Sequence, residues 1–223
     1  MHLTLPENPR ILVTGGPTRA HLDKVRFLTN VSTGELAYLL CAGLCRRKAS
    51  VSLVAGPTAQ PWEKLSLNEM HRVETTEEMS TAVLKSCRNF KPQIAVFAAA
   101  VLDFAPRKTV MGKVSSQKRS WVIRLQPTPK IMDQVAAKFP KIRKIGFKLE
   151  YKHPQKTALE EFALHYIHQK GLEVLCVNFL QDIGQKKHRG YLFTKAGLET
   201  VAGTKEAIAS KLSHYIFHGQ FSR

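Results

Sequence analysis

Two short segments hold the residues whose types and spacing best suit chemistry. Arg10-Ile-Leu-Val-Thr14 reads as a buried strand running into the glycine turn Thr14-Gly-Gly-Pro-Thr-Arg19, and Asn30-Val-Ser-Thr-Gly-Glu35 leads into a helix expected from Ser32. Gly15, Gly16 and Gly34 would let backbone approach an anion closely, and the N–H groups of a helix start would face it. The chemistry this permits is the holding of a phosphate or a carboxylate. The turn fits neither GxGxxG nor GxxxxGK[ST], and a plain connecting loop before a capped helix accounts for it equally well.

Positioning such residues takes a frame, and strand and helix signals alternate along most of the chain. A helix is expected over Glu35 to Lys48 behind a Ser32/Glu35 capping box, then a strand Val51 to Ala55 stopped by Gly56-Pro57. A weaker strand, His71 to Glu74, precedes a helix opened by a Thr75/Glu78 capping box and running to about Cys87. Ile94-Ala-Val-Phe-Ala-Ala-Ala100 has the composition of a central parallel strand buried on both faces. A basic flap follows at about residues 104–120, then a half-exposed strand Trp121 to Leu125. Pro129 suits the start of a helix to about Phe139, and Lys144 to Lys148 returns as a strand. A helix from Pro154 to Lys170 ends at Gly171, and Glu173 to Val177 is a further strand. Tyr191 to Phe193 is expected as a short final strand, and Ile208, Leu212, Tyr215 and Ile216 mark a closing helix. The expected fold class is α/β: a Rossmann-like, mostly parallel sheet with helices on both faces and a basic flap, in one domain over residues 1–223. In such sheets ligands sit beyond the carboxyl ends of strands, here Thr14 to Arg19, Ala98 to Asp103, Phe147 to Glu150 and Val177 to Asn178.

The net charge of +17 points to a polyanionic partner. Twelve basic residues and one acidic residue lie between Phe104 and Lys148, so much of the excess is local. Trp121 and Phe139 are nearly the only large aromatics there, which argues against a stacking platform for nucleic acid. No run is long and apolar enough to span a bilayer, and the first six residues lack the basic and apolar regions of a secretion signal. Four cysteines without a CxxC pair fit free thiols in a reducing cytoplasm, and Cys41 and Cys45 lie four apart as core residues would.

Taken in order, the strand ends match a family. Val13-Thr-Gly-Gly-Pro-Thr-Arg19, Asp23-x-Val-Arg-Phe-Leu-Thr-Asn-Val-Ser-Thr-Gly34, Val54-x-Gly-Pro57, Ala98-Ala-Ala-Val-Leu-Asp103, Gly112-Lys-Val114, Pro127-Thr-Pro-Lys-Ile131, Ile145-Gly-Phe147 and Val177-Asn178 follow one another. The chain resembles phosphopantothenate–cysteine ligase, also called phosphopantothenoylcysteine synthetase, in its stand-alone form, over roughly Arg10 to Phe217. The resemblance implies a coenzyme A pathway reaction in which 4′-phosphopantothenate is activated by CTP, or ATP, to an acyl-nucleotide that the cysteine amine converts to an amide. It implies Lys113 and Asn30 as catalytic residues, with Asn30, Arg26 and Gly34 binding substrate. The nucleotide site would comprise Gly15, Gly16, Phe97, Ala98, Ala99, Asp103, Lys113, Pro129, Lys130, Ile131, Met132, Phe147 and Lys170. Asp103 would take Mg2+, and a homodimer is implied. The chain departs from the family pattern at Ala37, Leu102, Ser115, Ser116, Tyr166 and Phe179. Two other readings stay open: a catalytically degenerate protein that binds nucleotide or phosphopantothenate, and a basic RNA-associated α/β protein.

Overall fold

The computed structural model describes residues 7–184 and 187–221. The secretion-signal reading falls on residues 1–6, outside the described residues. The chain runs through β1 (Arg10–Gly15), β2 (Arg19–His21), β3 (Phe27–Thr29), α1 (Glu35–Arg46), β4 (Ser50–Ala55), β5 (Glu69–Arg72), α2 (Thr76–Asn89) and β6 (Ile94–Phe97). It continues through β7 (Phe104–Pro106), β8 (Leu125–Pro127), α3 (Ile131–Lys138), β9 (Arg143–Glu150), α4 (Lys156–Lys170), β10 (Val174–Ile183), β11 (His188–Thr194), β12 (Gly197–Ala202) and α5 (Lys205–His218).

Eight strands form one sheet in the order β12-β11-β10-β9-β6-β1-β4-β5. The six from β10 to β5 are parallel, and β11 and β12 add an antiparallel edge. Alternation along the strands builds both cores. Ile11 and Val13 of β1, with Val174 and Cys176 of β10, pack under α1 and α5, whereas Leu12, Leu175 and Val177 pack under α2, α3 and α4. The expected α/β architecture with helices on both faces is therefore present, and the chain order reverses between β1 and β6. That reversal is where a doubly wound sheet opens a crevice at its carboxyl edge.

Several expectations need correcting. The Ser32/Glu35 capping box does not form. Gly34, at φ 72°, is the N-cap of α1, and that left-handed turn starts the helix beyond Ser32, whose hydroxyl accepts the Gly34 N–H instead (3.4 Å). The Thr75/Glu78 box does form, with both reciprocal bonds in place. Trp121 to Leu125 is not a strand of the sheet: only Leu125 is in one, pairing through β8 with β7 in a separate two-stranded ribbon. All three β8 residues are exposed, and a lone ribbon has no covered face for the alternation to bury. The flap accordingly extends from Arg107 to Arg124 between the ribbon strands. Tyr191 to Phe193 is not the final strand, since β12 follows it as a largely exposed edge with little apolar signal. The three-residue strands β2 and β3 form a hairpin between the glycine turn and α1.

Candidate functional site

Close packing explains the glycine turn. A Cβ on Gly15 would lie 2.7 Å from the Ala37 Cβ of α1, and Gly16, at φ +73°, turns against Gly56 and Thr58. Gly56 donates its N–H to the Gly15 carbonyl (2.9 Å), and a Cβ there would overlap the Pro17 carbonyl oxygen. Because that obstacle is backbone, Gly56→Ala should cost about 2–3 kcal/mol. For a chain of this size, that lowers Tm by roughly 5–10 °C; an unchanged thermal melt would show that the turn yields freely.

The β1 and β6 ends are laced together by threonines that the motif reading missed. Ala99 N–H donates to Thr14 Oγ1 (3.2 Å), Leu102 N–H to Thr18 Oγ1 (2.9 Å), and Ala100 N–H to the Gly16 carbonyl (2.9 Å). Buried Thr18 also shares a hydrogen bond with Thr76 at 3.0 Å. The signal available was Thr flanking the glycine pair, a residue able to donate and accept at a strand end. Asn30, just past β3, crosses to the same place: its Nδ2 donates to the carbonyls of Ala100 (3.2 Å) and Val101 (3.0 Å). An amide has two N–H groups, and both are used here, so Oδ1 is the polar atom that Asn30 keeps available at the crevice rim.

On the other side of the crevice, Thr128 N–H donates to the Asp103 carbonyl (3.0 Å), tying the β6 end to the approach to α3. Lys130, the N-cap residue of α3, pairs its Nζ with the Asp103 carboxylate. Lys170 pairs with Asp133 in the first turn of α3 at 2.9 Å. Phe97, Ala98, Ala99, Asp103, Lys130, Ile131 and Met132 thus gather around one end of β6, with exposed Pro129 beside them. Phe147 packs toward the α1 and α5 core, whereas Phe97 and Met132 pack on the opposite face. Gly34 lies against Gly16: a Cβ on it would be 3.4 Å from the Gly16 Cα.

Arg26 and Lys113 belong to a second centre. Arg26 pairs with Asp23 (2.8 Å) and also donates to the Val114 carbonyl, which follows Lys113 in the chain. Lys113 is exposed. Asn30 is at the base of the β2–β3 hairpin and the Lys113 segment is held at its tip, roughly 13 Å away along extended strand. A cleft of about 740 Å³ under the flap is lined by Leu22, Arg107, Lys108, Trp121 and Arg124.

Charge and departures also find places. Of the basic segment, Lys144 is buried with its pKa lowered by desolvation, and Arg143 pairs with Glu173, so the excess is not one continuous free face. Phe179 is fully buried under the His153 ring, whose centroid is 3.9 Å away, and Tyr166 is 6.0 Å from Lys148 Nζ. All four cysteines are free, and burial pushes the Cys41, Cys87 and Cys176 thiols up, Cys87 to about 11. Among the described residues no three His, Cys, Asp or Glu side chains converge as metal ligands. No described helix is long and apolar enough to cross a membrane.

This is a doubly wound α/β domain with a switch point between β1 and β6 and a basic flap tied beside it. The chain belongs to the family described as the DNA/pantothenate metabolism flavoprotein C-terminal domain, which it matches over residues 7–219. It is 31% identical over 215 residues to the coenzyme A biosynthesis bifunctional protein CoaBC of Vibrio cholerae, covering 93% of this chain and 52% of that protein. The CoaBC of Thermococcus kodakarensis is 30% identical over 188 residues, 84% of this chain and 45% of the relative. The chain therefore spans about half the length of these curated relatives. Among solved structures, the DNA/pantothenate metabolism flavoprotein from Streptococcus pneumoniae superposes with a TM-score of 0.81 at 25% identity, covering 93% of this chain and 98% of that one.

Proposed function

We propose that the chain is a phosphopantothenate–cysteine ligase. The carboxylate of 4′-phosphopantothenate attacks the α-phosphate of CTP, or of ATP, releasing pyrophosphate and leaving an acyl-nucleotide. The cysteine amine then attacks the acyl carbon, the nucleoside monophosphate leaves, and the amine proton passes to solvent. The observation that carries this reading is Asn30 bridging the β6 end at a switch-point crevice whose neighbouring flap carries Lys113. The V. cholerae and T. kodakarensis relatives are named as bifunctional coenzyme A biosynthesis proteins, and this chain matches about half of each. A solved C-terminal domain of CoaBC, 27% identical with a TM-score of 0.72, has 95% of its length covered by this chain, which favours the C-terminal activity.

Residues divide the work by charge. Joining a carboxylate to a triphosphate gathers anions, so Lys113 and Lys130 supply positive charge to the phosphates. The α3 start presents backbone N–H groups between Lys130 and Met132 to the nucleotide. Asp103 offers one exposed carboxylate, which suits Mg2+ held jointly with phosphate oxygens and water rather than in a protein cage. The ion would neutralise phosphate charge. Asn30 Oδ1 accepts a hydrogen bond from the incoming amine and orients it toward the acyl carbon. Arg26 serves the flap, and Gly15, Gly16 and Gly34 let the crevice edge pack closely. A homodimer belongs to this reading, and exposed Val25, Phe27, Val31, Phe104 and Leu125 are apolar side chains that such a contact would cover. The free thiols suit the cytoplasm.

The deciding assay follows pyrophosphate from the purified chain with 4′-phosphopantothenate, cysteine, Mg2+ and either nucleotide. Release is expected only with phosphopantothenate present, and faster with CTP than with ATP. Tight nucleotide binding without pyrophosphate would replace the ligase by the degenerate binding protein.

A further inference from the structure

The flap joins the rest of the chain through the two-stranded β7–β8 ribbon, and one side of it is tied down. The turn between β2 and β3 supplies the ties: Lys24 N–H donates to the Gly112 carbonyl (2.9 Å), and the Leu22 carbonyl accepts from Val110 N–H (3.0 Å). Thr109 Oγ1 donates to the His21 carbonyl at 2.9 Å. The centre of this seam is Asp23, whose side chain is wholly buried. Its Oδ1 accepts the N–H groups of Val25 (2.8 Å) and Arg26 (2.7 Å). Its Oδ2 accepts both the Arg26 guanidinium (2.8 Å) and the Val114 N–H (3.0 Å). Arg26 then donates from Nη1 and Nη2 to the Val114 carbonyl, each at 3.3 Å, and its Cζ lies 5.4 Å from the Trp121 ring.

A buried carboxylate must be satisfied, and this turn could satisfy its own. Val25, Arg26 and the guanidinium already provide three donors from residues within three positions of Asp23. The bond to Val114 is therefore surplus to the turn, and it grips the residue beside Lys113. With Arg26 on the carbonyl, both polar groups of Val114 are held by one acid–base pair. Burial of Asp23 favours the neutral acid, but the Val114, Val25 and Arg26 N–H bonds and the Arg26 charge outweigh it and hold the pKa below the usual Asp range.

We propose that Asp23 is a positioning residue for ligation, fixing through Val114 where Lys113 projects, with Arg26 as the strut of the clamp. The inference rests on the proposed role of Lys113. A flap released from the clamp still carries its lysine, but the cation spreads over many positions when the phosphates need it in one.

The test compares Asp23→Asn, Arg26→Lys, Lys113→Gln and the Asp23→Asn/Lys113→Gln double variant of the full chain. Two readouts are used: tryptic cleavage of the native flap at Lys118 and Arg119, and single-turnover pyrophosphate release. Arg26→Lys keeps the charge beside Asp23 and loses the two-pronged grip on Val114, so it reports on the clamp even where Asp23→Asn folds poorly. Flap cleavage and the loss in first-step rate should each change at least about tenfold in both single clamp variants, the worth of one charge-assisted hydrogen bond. The KM for nucleotide should stay within about twofold, since uniform binding is untouched. The double variant should be no slower than Lys113→Gln alone. Unchanged cleavage in both clamp variants, or losses that multiply in the double variant, would overturn the proposal. Full activity in Lys113→Gln would overturn it through the lysine's role, and the cleavage data would then separate an intact clamp from an idle lysine.

Discussion

Lys113→Gln should slow pyrophosphate formation by roughly 10²–10³-fold, the scale of losing one preorganised electrostatic group. The reason is the charge that activation gathers. A carboxylate must approach an α-phosphate already flanked by anions, and one cation about 4 Å from such a charge contributes on the order of 4 kcal/mol at an effective dielectric near 20. That figure corresponds to about a thousandfold in rate. Lys113 is exposed, so the glutamine leaves no buried group unpaired and stability should move by less than about 0.5 kcal/mol. The loss is therefore chemical and can be read without a folding correction. Lys118→Gln, elsewhere on the same basic flap, is the matched control. It should retain most activity, because the proposal depends on one placed cation and not on the charge of the segment. Equal losses in the two variants would reduce the flap to a diffuse basic surface and revive the polyanion-binding alternative.

What the sequence made legible follows from the range of the interactions involved. The central strand Ile94 to Phe97 declared itself because burial on both faces demands an unbroken apolar run, and the Thr75/Glu78 box formed because it needs only neighbours. The Ser32/Glu35 pair has the same pattern and fails, because Gly34 packs against Thr58 and Gly16 and adopts a left-handed turn that local reading does not foresee. The site divides likewise. Asn30, Asp103 and Lys113 stood out through an ordered resemblance, while the chemistry of their placement depended on distant partners. The Asn30 amide meets carbonyls 70 and 71 residues away, and Asp23 meets Val114 across 91 residues. Arg26 shows the consequence most clearly: the resemblance implies a substrate ligand, and the structure engages its guanidinium with Asp23 and the Val114 carbonyl of the flap. Total charge also said less than its distribution, since Arg143, Lys130 and Lys170 have acidic partners from other elements.

Asn30→Asp should separate the two half-reactions. The Asn30 amide is held by two donated bonds to the Ala100 and Val101 carbonyls, and an aspartate has no N–H to give either. Its carboxylate would face two carbonyl oxygens and swing away, removing the acceptor that orients the amine and leaving a negative charge near the acyl phosphate. Activation relies on Lys113 and the nucleotide site, so it should proceed with little change. Amide formation should fall roughly 10²-fold, the scale of misplacing a reacting group by about 1 Å. The expected record is a burst of pyrophosphate equal to the number of sites, then slow turnover, with the acyl-nucleotide recoverable from quenched enzyme by mass spectrometry. Each lost bond is worth about 1 kcal/mol at this exposed position, so Tm should drop by only a few degrees and the variant should remain assayable. Asn30→Ala, which removes the amide without adding charge, should show the same burst with a smaller second-step defect. If the aspartate variant instead loses the burst and the amide together, Asn30 acts in activation, and the crevice rim holds the carboxylate of the first substrate rather than the amine of the second.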